Sequence, residues 1–407
     1  MVLGLLCLAF IAAYFDRVNL SVVAASKGFT GEFGIGPKQI GWLGSAFFWA
    51  YAPMQFVAGW LVDRFGVKRS LAVGFVIWSV FAACSGLAGS FAVLFLFQML
   101  MGMGESVVTP GGMRWIRFNY PEEKRGAAVG IYMAAAKVGP ALGLPLASWL
   151  LLRFGWRAVF VITGLGCLIW LAPWLKLVRD DDRQIEAAQQ RSSGGGSVPF
   201  AAVMKSPVIW GTFIGTWAYQ YFVYFCMTWM PKYLADRRGL SVLKSGNYSG
   251  LTFLGMAVVA ILAGLAADRL IAKGRDPVKV RKSFAIAGLL LASTELIGAF
   301  SSSLPVALTF AVVSLSGLGL MTANYWALTQ TLIPGGSVGR IVGLQNFVAN
   351  VPGIAAPILT GWLVQTTGKY EAPMVLISVF LVAAIAAYIF LVRREYAPKA
   401  IPAPSLG

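Results

Sequence analysis

The sequence of 407 residues contains no histidine and few charged residues of any kind. The absence of histidine excludes a histidine proton relay and a His-ligated metal site. Charged residues make up 12% of the chain, whereas a soluble protein carries roughly a quarter. Only 16 residues are acidic and 33 are basic, which gives a formal net charge of +17. In a soluble protein such an excess of basic residues would indicate nucleic acid binding, but the long apolar blocks of this chain argue against that interpretation.

Reactive-site patterns are also scarce. The cysteines Cys7, Cys84, Cys167 and Cys226 lie in apolar blocks without CxxC spacing, and we interpret them as small packing residues. We find no P-loop pattern G-x-x-x-x-G-K-[ST] and no nucleophile–base constellation. The sequence therefore predicts neither an enzyme nor direct ATP coupling. It predicts no cofactor, apart from a coupling ion for which a proton is the first choice.

The chain consists largely of long apolar blocks, and 58% of its residues are hydrophobic. About 20 mostly apolar residues are enough to cross a membrane as a helix. The first stretch contains Asp16 and Arg17 and has no cleavage site, so we interpret it as a helix and not as a signal peptide. The sequence predicts an all-α membrane protein with twelve transmembrane helices, at about 2–24, 40–62, 69–88, 91–115, 126–150, 156–178, 207–232, 245–271, 282–301, 304–332, 338–365 and 372–393.

The two halves of the chain repeat one motif. G-x-x-x-D-R occurs at the end of helix 2 and again at the end of helix 8, as Gly59, Asp63, Arg64 and Gly264, Asp268, Arg269. Such repeats are typical of transporters built from two similar bundles, and we predict a gating or structural role for these six residues. We therefore expect a six-helix bundle at 1–178, a cytoplasmic linker at 179–206 and a second six-helix bundle at 207–407, related by pseudo-symmetry.

The distribution of basic residues predicts the orientation. With both termini inside, 22 of the 33 Lys and Arg fall on the cytoplasmic side and nine on the other, while Arg17 and Lys137 lie inside helices. Lys and Arg are enriched in cytoplasmic loops of membrane proteins. We predict a multi-pass protein of the inner (plasma) membrane with cytoplasmic termini, in contact with lipid and not with nucleic acid.

Five charged residues fall inside the predicted helices, namely Asp16, Arg17, Glu105, Lys137 and Glu295. A charge at the bilayer centre costs about 3 kcal/mol even on lenient insertion scales, so charges kept there usually face a cavity. Arg17 offers a planar fork that binds a carboxylate through two hydrogen bonds, and Tyr14 lies on the same helix face. The alternative is that Arg17 only neutralises Asp16 or Glu105.

The other four charges have competing interpretations. Glu105 follows the small residues of Gly102-Met103-Gly104, and it and Asp16 are candidates for binding and releasing a proton. A permanently paired structural glutamate is the alternative. Lys137 could hold an anion, balance Glu105 or snorkel to the interface. Structural pairing is the preferred interpretation of Glu295.

Polar and aromatic side chains gather in the second half. Such groups can bind hydroxyls and stack on a sugar-like skeleton, although each could equally make an interhelical hydrogen bond. The residues are Tyr219, Gln220, Tyr221 and Tyr224 in helix 7, Asn324, Tyr325 and Trp326 in helix 10, and Gln345, Asn346 and Asn350 in helix 11.

These features resemble the major facilitator superfamily along nearly the whole chain, through Gly59–Arg69 and its echo Gly264–Arg269. The closest likeness is to the anion:cation symporter family, which includes bacterial galactonate, hexuronate and glucarate transporters, sialin and the vesicular glutamate carriers. The motifs that carry it are Tyr14–Ser21, Gly102–Glu105, Tyr120–Gly126, Gly155–Arg157, Thr228–Pro231 and Asn346–Asn350.

The resemblance implies roles for several residues. Arg17 would bind the substrate carboxylate, and Asp16 and Glu105 would carry the coupling protons. The residues that match pocket positions are Tyr14, Tyr51, Trp326 and Asn346. The chain departs from the family pattern at Gln98, where an arginine is common, and at Ala136, where a glutamine is common and Lys137 follows.

We therefore expect proton-coupled uptake of a small organic anion, a sugar acid or related carboxylate, by alternating access in a monomer. An antiporter or drug-efflux protein is the alternative, since Gly139-Pro140-Ala141-Leu142-Gly143 weakly resembles an antiporter motif. An organophosphate:phosphate antiporter would need paired arginines from both halves, and helix 7 has none. A sensor that no longer transports would need a domain to transmit its signal.

Overall fold

The computed structural model describes residues 1–120, 122–179, 204–333 and 335–398, with the side chains of 122–127, 335–340 and 342 excepted. Most of the predicted linker lies outside the described residues. Within them, the long elements are α-helices, numbered in chain order. They are α1 (Val2–Ala24), α2 (Lys27–Phe33), α3 (Pro37–Phe65), α4 (Val67–Ser85), α5 (Phe91–Glu105), α6 (Val108–Asn119), α7 (Glu122–Phe154), α8 (Trp156–Cys167), α9 (Leu171–Leu177), α10 (Pro207–Asp236), α11 (Val242–Ala272), α12 (Pro277–Ser293), α13 (Glu295–Phe300), α14 (Leu304–Leu332), α15 (Gly335–Thr367) and α16 (Glu371–Phe390).

Ten segments of the described residues are long and apolar enough to cross a membrane. Three of them run through a break between two helices, across α5 and α6, α8 and α9, and α12 and α13. Two further helices, α3 and α10, have 29 and 30 residues and are rich in Trp and Tyr, which lower the mean hydropathy. The structure thus confirms an all-helical membrane protein, and the count of twelve spans stays a prediction.

The break between α5 and α6 follows directly after Glu105. Proline lacks an N–H and crowds the carbonyl four residues earlier, so it interrupts a helix there. Pro110 lies four residues after Ser106, the residue that follows the end of α5, and the Ser106 hydroxyl donates to the Met103 carbonyl at 2.7 Å. The sequence therefore places Glu105 at the joint of two short helices.

Contact analysis divides the chain into two compact units. The first unit comprises Met1–Arg191, Tyr224–Leu254 and Gly353–Tyr370. The second unit comprises Ser192–Val223, Gly255–Pro352 and Glu371–Gly407. The division into bundles at 1–178 and 207–407 remains a prediction.

Glycines let helices of the first unit approach backbone to backbone. A Cβ at Gly104 of α5 would lie 2.5 Å from the Trp78 backbone nitrogen and 2.9 Å from the Gly74 carbonyl oxygen of α4. A Cβ at Gly139 of α7 would lie 2.6 Å from the Cβ of Tyr14 on α1. Small residues are the usual means by which membrane helices pack closely. In this unit they fix α1, α4, α5 and α7 around its middle.

Near its N-terminus, α3 packs on the part of α15 that belongs to the first unit. A Cβ at Gly41 would lie 3.3 Å from the Cα of Ile358, and one at Gly44 would lie 3.2 Å from the Cβ of Pro357. The Trp229 indole donates to the Pro357 carbonyl at 3.3 Å. The Gln365 side chain accepts a hydrogen bond from the backbone of Lys38 at 3.0 Å. This contact closes the first unit at one end.

The two copies of the repeated motif make similar ion pairs. Asp63 pairs with Arg114 in the first unit, and Asp268 pairs with Arg281 at 3.3 Å in the second. Arg64 lies over the ring of Trp60 at 5.6 Å. Gly59 has open space beside it, and Gly264 faces Ala323. The gating role predicted for Gly59, Asp63, Arg64, Gly264, Asp268 and Arg269 stays a prediction.

Loop carboxylates anchor helix ends on both units. Backbone donation from Lys279 and Val278, together with nearby Arg394, holds the pKa of Asp276 below its usual range at the start of α12. Hydrogen bonds from Arg157 and Trp156 lower the pKa of Glu32 in the short α2. A carboxylate at a helix N-terminus accepts backbone N–H groups that would otherwise be unpaired.

Gly104→Val should destabilise the protein, because its side chain would overlap the α4 backbone. Overpacking of this kind typically costs about 1–3 kcal/mol. The matched control is Gly130→Val on α7, where no atom lies within 4 Å of an added Cβ. The melting temperature of purified protein in detergent should fall for the first variant and change little for the second. Equal melting temperatures would contradict the packing described at Gly104.

Candidate functional site

Arg17 lies in the middle of the first unit inside a cage of aromatic rings. Its guanidinium carbon is 4.3 Å from the ring centre of Tyr14 and 4.5 Å from the ring centres of Phe47 and Tyr51. The predicted proximity of Tyr14 follows from its place three residues earlier on α1. Aromatic faces attract cations, and they do so more strongly where water is excluded. The cage holds the guanidinium in a fixed orientation.

Glu105 is the charge partner of Arg17. The Nε atom of Arg17 donates to Oε1 of Glu105 at 2.6 Å, and Nη2 forms an ion pair with the same oxygen. The side chains of Arg17 and Glu105 are 3% and 0% exposed. Among the described residues, Nη1 of Arg17 and Oε2 of Glu105 are buried without a hydrogen-bond partner. The pair is therefore closed to solvent but incompletely satisfied, which leaves each group able to take another partner.

A cavity opens beside this pair, with about 550 Å³ of space between protein atoms, its opening included. It extends from Arg17 toward the C-terminal end of α1, and residues of α3, α5 and α10 also line it. All of them belong to the first unit. They are Arg17, Leu20, Ser21, Ala24, Ile40, Gly44, Phe47, Phe48, Gln98, Met101, Tyr224, Met227, Thr228 and Trp229. A cavity lined by one cation, a few hydroxyl and amide groups, and otherwise aromatic and aliphatic side chains suits a small anion with hydroxyl groups.

Asp16, although next to Arg17 in the sequence, points to different partners. Its carboxylate accepts from the Trp78 indole at 2.9 Å, the Asn19 amide at 3.2 Å and the Cys167 thiol at 3.5 Å. Adjacent residues on a helix point about 100° apart, so α1 presents Arg17 to the cavity and Asp16 to α4 and α8. Asp16 is not among the residues that line the cavity.

Lys137 is buried at 8% exposure, near the midpoint of α7. It lies two residues before Gly139, whose backbone packs on Tyr14. It is not one of the residues that line the cavity described above.

Of the polar and aromatic residues predicted in the second half, Tyr224 lies in the first unit and lines the cavity, and the others lie in the second unit. Tyr325 has ring contacts with Trp326 at 5.0 Å and with Tyr219 at 5.1 Å, between ring centres. The amide of Asn350 donates to the backbone carbonyl of Asn346 at 2.8 Å. Gln220, on α10, is partly buried. The structure thus groups Tyr14, Arg17, Tyr51 and Glu105 in one unit and Tyr325 and Trp326 in the other.

Sequence reasoning missed the residues that shape the cavity around Arg17. Phe47 and Phe48 form part of the cage and its wall, and Phe47 lies four residues before Tyr51 on the same helix face. This spacing of four residues is the feature of the sequence that could have placed Phe47 beside Tyr51. Trp78 was also missed as the main donor to Asp16. A buried indole N–H needs an acceptor, and this requirement could have indicated a hydrogen bond from Trp78 to Asp16.

The chain is similar to known membrane transporters. A family model described as Major Facilitator Superfamily matches residues 6–357. A D-galactonate transporter of Escherichia coli O6:H1 is 31% identical, over 94% of this chain and 93% of its own. A probable galactarate/D-glucarate transporter of Bacillus subtilis is 29% identical, over 93% and 88%. A solved D-xylose-proton symporter shares the fold at a TM-score of 0.79 with 15% identity, over 98% and 99%.

Arg17→Met should destabilise the protein more than the double variant Arg17→Met/Glu105→Met. The single change leaves a buried carboxyl without its cation, which typically costs about 3–5 kcal/mol, whereas an apolar pair of similar volume is often neutral. The melting temperature in detergent measures both. A double variant no more stable than the single one would show that Glu105 does not depend on Arg17.

Proposed function

The chain belongs to the major facilitator superfamily, and on that premise we propose that it is a proton-coupled symporter that takes up a sugar acid. The protein is a transporter of the membrane and not an enzyme. The proposal places it in the inner membrane with both termini in the cytoplasm. In this proposal it acts as a monomer, and the coupling ion is a proton.

The observation that carries the proposal is the buried pair of Arg17 and Glu105, of which Arg17 lines the cavity. A guanidinium binds a carboxylate through two parallel hydrogen bonds, and Arg17 uses one edge of its fork on Glu105. Its Nη1 atom has no hydrogen-bond partner among the described residues. A substrate carboxylate in the cavity would compete with Glu105 for the same cation.

This competition supplies a reason for coupling to protons. When Glu105 binds a proton it no longer neutralises Arg17, and the guanidinium then attracts the substrate carboxylate. When the substrate leaves, Arg17 is again available to stabilise the ionised Glu105, which favours release of the proton. Proton and substrate thus bind together and leave together, which defines symport. Asp16, enclosed by three donors, is the second candidate site for a proton.

The proposed substrate class follows from the cavity and from the relatives. Tyr224, Gln98 and Thr228 supply polar groups along the wall, and Phe47 and Phe48 supply aromatic faces. Such a lining suits a short hydroxylated chain with a carboxylate at one end. Two similar proteins are named as transporters of galactonate and of galactarate or glucarate. These names favour a sugar acid over the drug-efflux alternative.

Alternating access completes the proposal. Transporters of this superfamily open a central site first to one side of the membrane and then to the other. The contact of α3 with α15 around Gly41 and Pro357 would close one entrance, and its release would open it. In this scheme Tyr51, Trp326, Asn346 and the neighbouring polar residues of the second half also bind the substrate during the cycle.

Glu105→Gln should abolish accumulation driven by a pH gradient but keep exchange of substrate across the membrane. A glutamine keeps the side-chain shape but cannot ionise, so Arg17 stays available and the proton step is lost. Uptake and counterflow of labelled galactonate in proteoliposomes measure the two activities. Glu295→Gln, a buried carboxyl of the second unit, is the matched control and should keep both. Full accumulation by Glu105→Gln would exclude Glu105 as the coupling residue.

Arg17→Lys should reduce galactonate uptake strongly, even though the charge is kept. An ammonium group cannot bind a carboxylate through two parallel hydrogen bonds or stack flat between the rings of Tyr14 and Phe47. We expect a loss of about 100-fold in uptake efficiency, since each good charge-assisted contact typically contributes about 1.5–3 kcal/mol. Wild-type uptake by this variant would show that the bidentate contact is not required.

A further inference from the structure

Two hydroxyl groups among the residues that line the cavity direct their hydrogens to backbone carbonyls. The Ser21 hydroxyl on α1 donates to the Val18 carbonyl at 2.8 Å, and the Thr228 hydroxyl on α10 donates to the Tyr224 carbonyl at 2.7 Å. A hydroxyl group has one hydrogen and two lone pairs. In this arrangement both oxygens can accept a hydrogen bond from a ligand, but neither has a hydrogen left to donate to one.

Gln98 of α5 also lines the cavity, and a serine of α4 fixes the orientation of its amide. The Nε2 atom of Gln98 donates to Oγ of Ser85 at 3.0 Å. The Ser85 hydroxyl itself donates to the Phe81 carbonyl at 2.9 Å, so its oxygen can only accept and needs the amide nitrogen beside it. Ser85 is fully buried and is not a lining residue. It is a positioning residue for the Gln98 amide.

The oxygen of the Gln98 amide is the atom that remains for a ligand. Gln98 is 4% exposed, and its Oε1 accepts no hydrogen bond from the residues that the structure describes. A buried acceptor without a partner is costly. A ligand that donates a hydrogen bond to Oε1 is therefore favoured over a ligand of the same shape that cannot.

Gln98 lies toward the end of the cavity that is remote from the pair of Arg17 and Glu105. It precedes Glu105 by seven residues, which places it about 10 Å away along the axis of α5. Ser21, one turn after Arg17 on α1, also lies beyond the pair, because the cavity extends toward the C-terminal end of α1. A carboxylate bound by Arg17 would therefore leave the other end of a sugar-acid chain beside Gln98.

From this arrangement we propose that Gln98, oriented by Ser85, determines specificity by accepting a hydrogen bond from a hydroxyl group at the end of the sugar acid opposite its carboxylate. The inference rests on the proposed function. Arg17 by itself would bind any small carboxylate, whereas an oriented acceptor recognises the hydroxylated chain. A site built to hydrogen-bond a hydroxyl group rejects an analogue without it, because the buried acceptor is then left unpaired.

Fluorinated galactonates test the direction of this hydrogen bond, since fluorine is close in size to a hydroxyl group but cannot donate. The 6-deoxy-6-fluoro compound changes the end proposed to lie beside Gln98, and the 2-deoxy-2-fluoro compound changes the carbon next to the carboxylate. Inhibition of labelled galactonate uptake in proteoliposomes gives an inhibition constant for each. In wild-type protein the constant for the 6-fluoro compound should be about tenfold above that for unlabelled galactonate, the loss expected for one buried hydrogen bond.

Gln98→Leu removes the acceptor and keeps a side chain of similar size. It should raise the inhibition constant of galactonate by about tenfold and change that of the 6-fluoro compound by less than about twofold. The ratio between the two constants should therefore fall close to one. The ratio of the 2-fluoro compound to galactonate should fall by a similar factor only if its hydroxyl also faced Gln98, and we expect the 2-fluoro compound to weaken in parallel with galactonate.

Ser85→Ala tests the orientation of the amide without changing a lining residue. Without the serine oxygen the amide can present either its nitrogen or its oxygen, so the ratio for the 6-fluoro compound should fall at least about threefold. Ser85→Thr keeps the hydroxyl group and should keep the wild-type ratio. Ser79→Ala is the matched control, because it removes a buried α4 hydroxyl that has no hydrogen-bond partner in the described parts of the chain, and it should also keep the ratio.

The outcomes separate this inference from the proposed function. If wild-type protein does not take up galactonate, the proposed function fails and the inference fails with it. If it takes up galactonate but binds the 6-fluoro compound equally well, the proposed function stands and the role of Gln98 is overturned. A purely structural contact between Gln98 and Ser85 would lower the melting temperature of Gln98→Leu and Ser85→Ala and leave the ratio at its wild-type value, and this result would also overturn the inference. The wild-type ratio and Ser85→Ala decide the matter even if Gln98→Leu does not fold.

Discussion

The buried pair of Arg17 and Glu105 is the interaction on which the rest of the site depends. Two charges withdrawn from water are stable only if their geometry is good and their other polar atoms find partners. Aromatic rings enclose the Arg17 guanidinium, and glycines on α5 and α7 let these helices pack closely against their neighbours. The break after Glu105 places its carboxyl at the C-terminal end of α5. The pair remains partly unsatisfied, and the proposed response to a proton or an anion rests on this.

Much of the fold could be predicted from the sequence because a bilayer allows few solutions. Long apolar blocks must be helices there, since backbone groups have no water to bind. The exceptions are instructive. Helices α3 and α10 contain many Trp and Tyr residues, and their mean hydropathy is too low for them to count as apolar spans. The break at Ser106 depends on Pro110, a local signal that a prediction based on apolar blocks passes over.

The candidate site could be predicted in part. A charge in an apolar block is visible in the sequence, so Arg17, Glu105 and Lys137 were identified from it. The sequence leaves the partner of Arg17 open between Asp16 and Glu105, and only the helix packing shows that Asp16 turns toward Trp78 while Glu105 pairs with Arg17. Phe47 and Phe48 were missed because aromatic residues are common in every membrane helix. Periodicity alone does not separate a ring that faces lipid from one that covers a guanidinium.

At Gly41 the contact of α3 with α15 joins main chain to main chain, and at Gly44 it meets the ring of Pro357. Glycines at such a surface have no side chains of their own that must interlock. They can part and meet again without any rotamer having to be found anew. In the proposed transport cycle, an entrance closed in this way would cost little entropy each time it shuts, which suits a protein that opens and closes once for every molecule it carries.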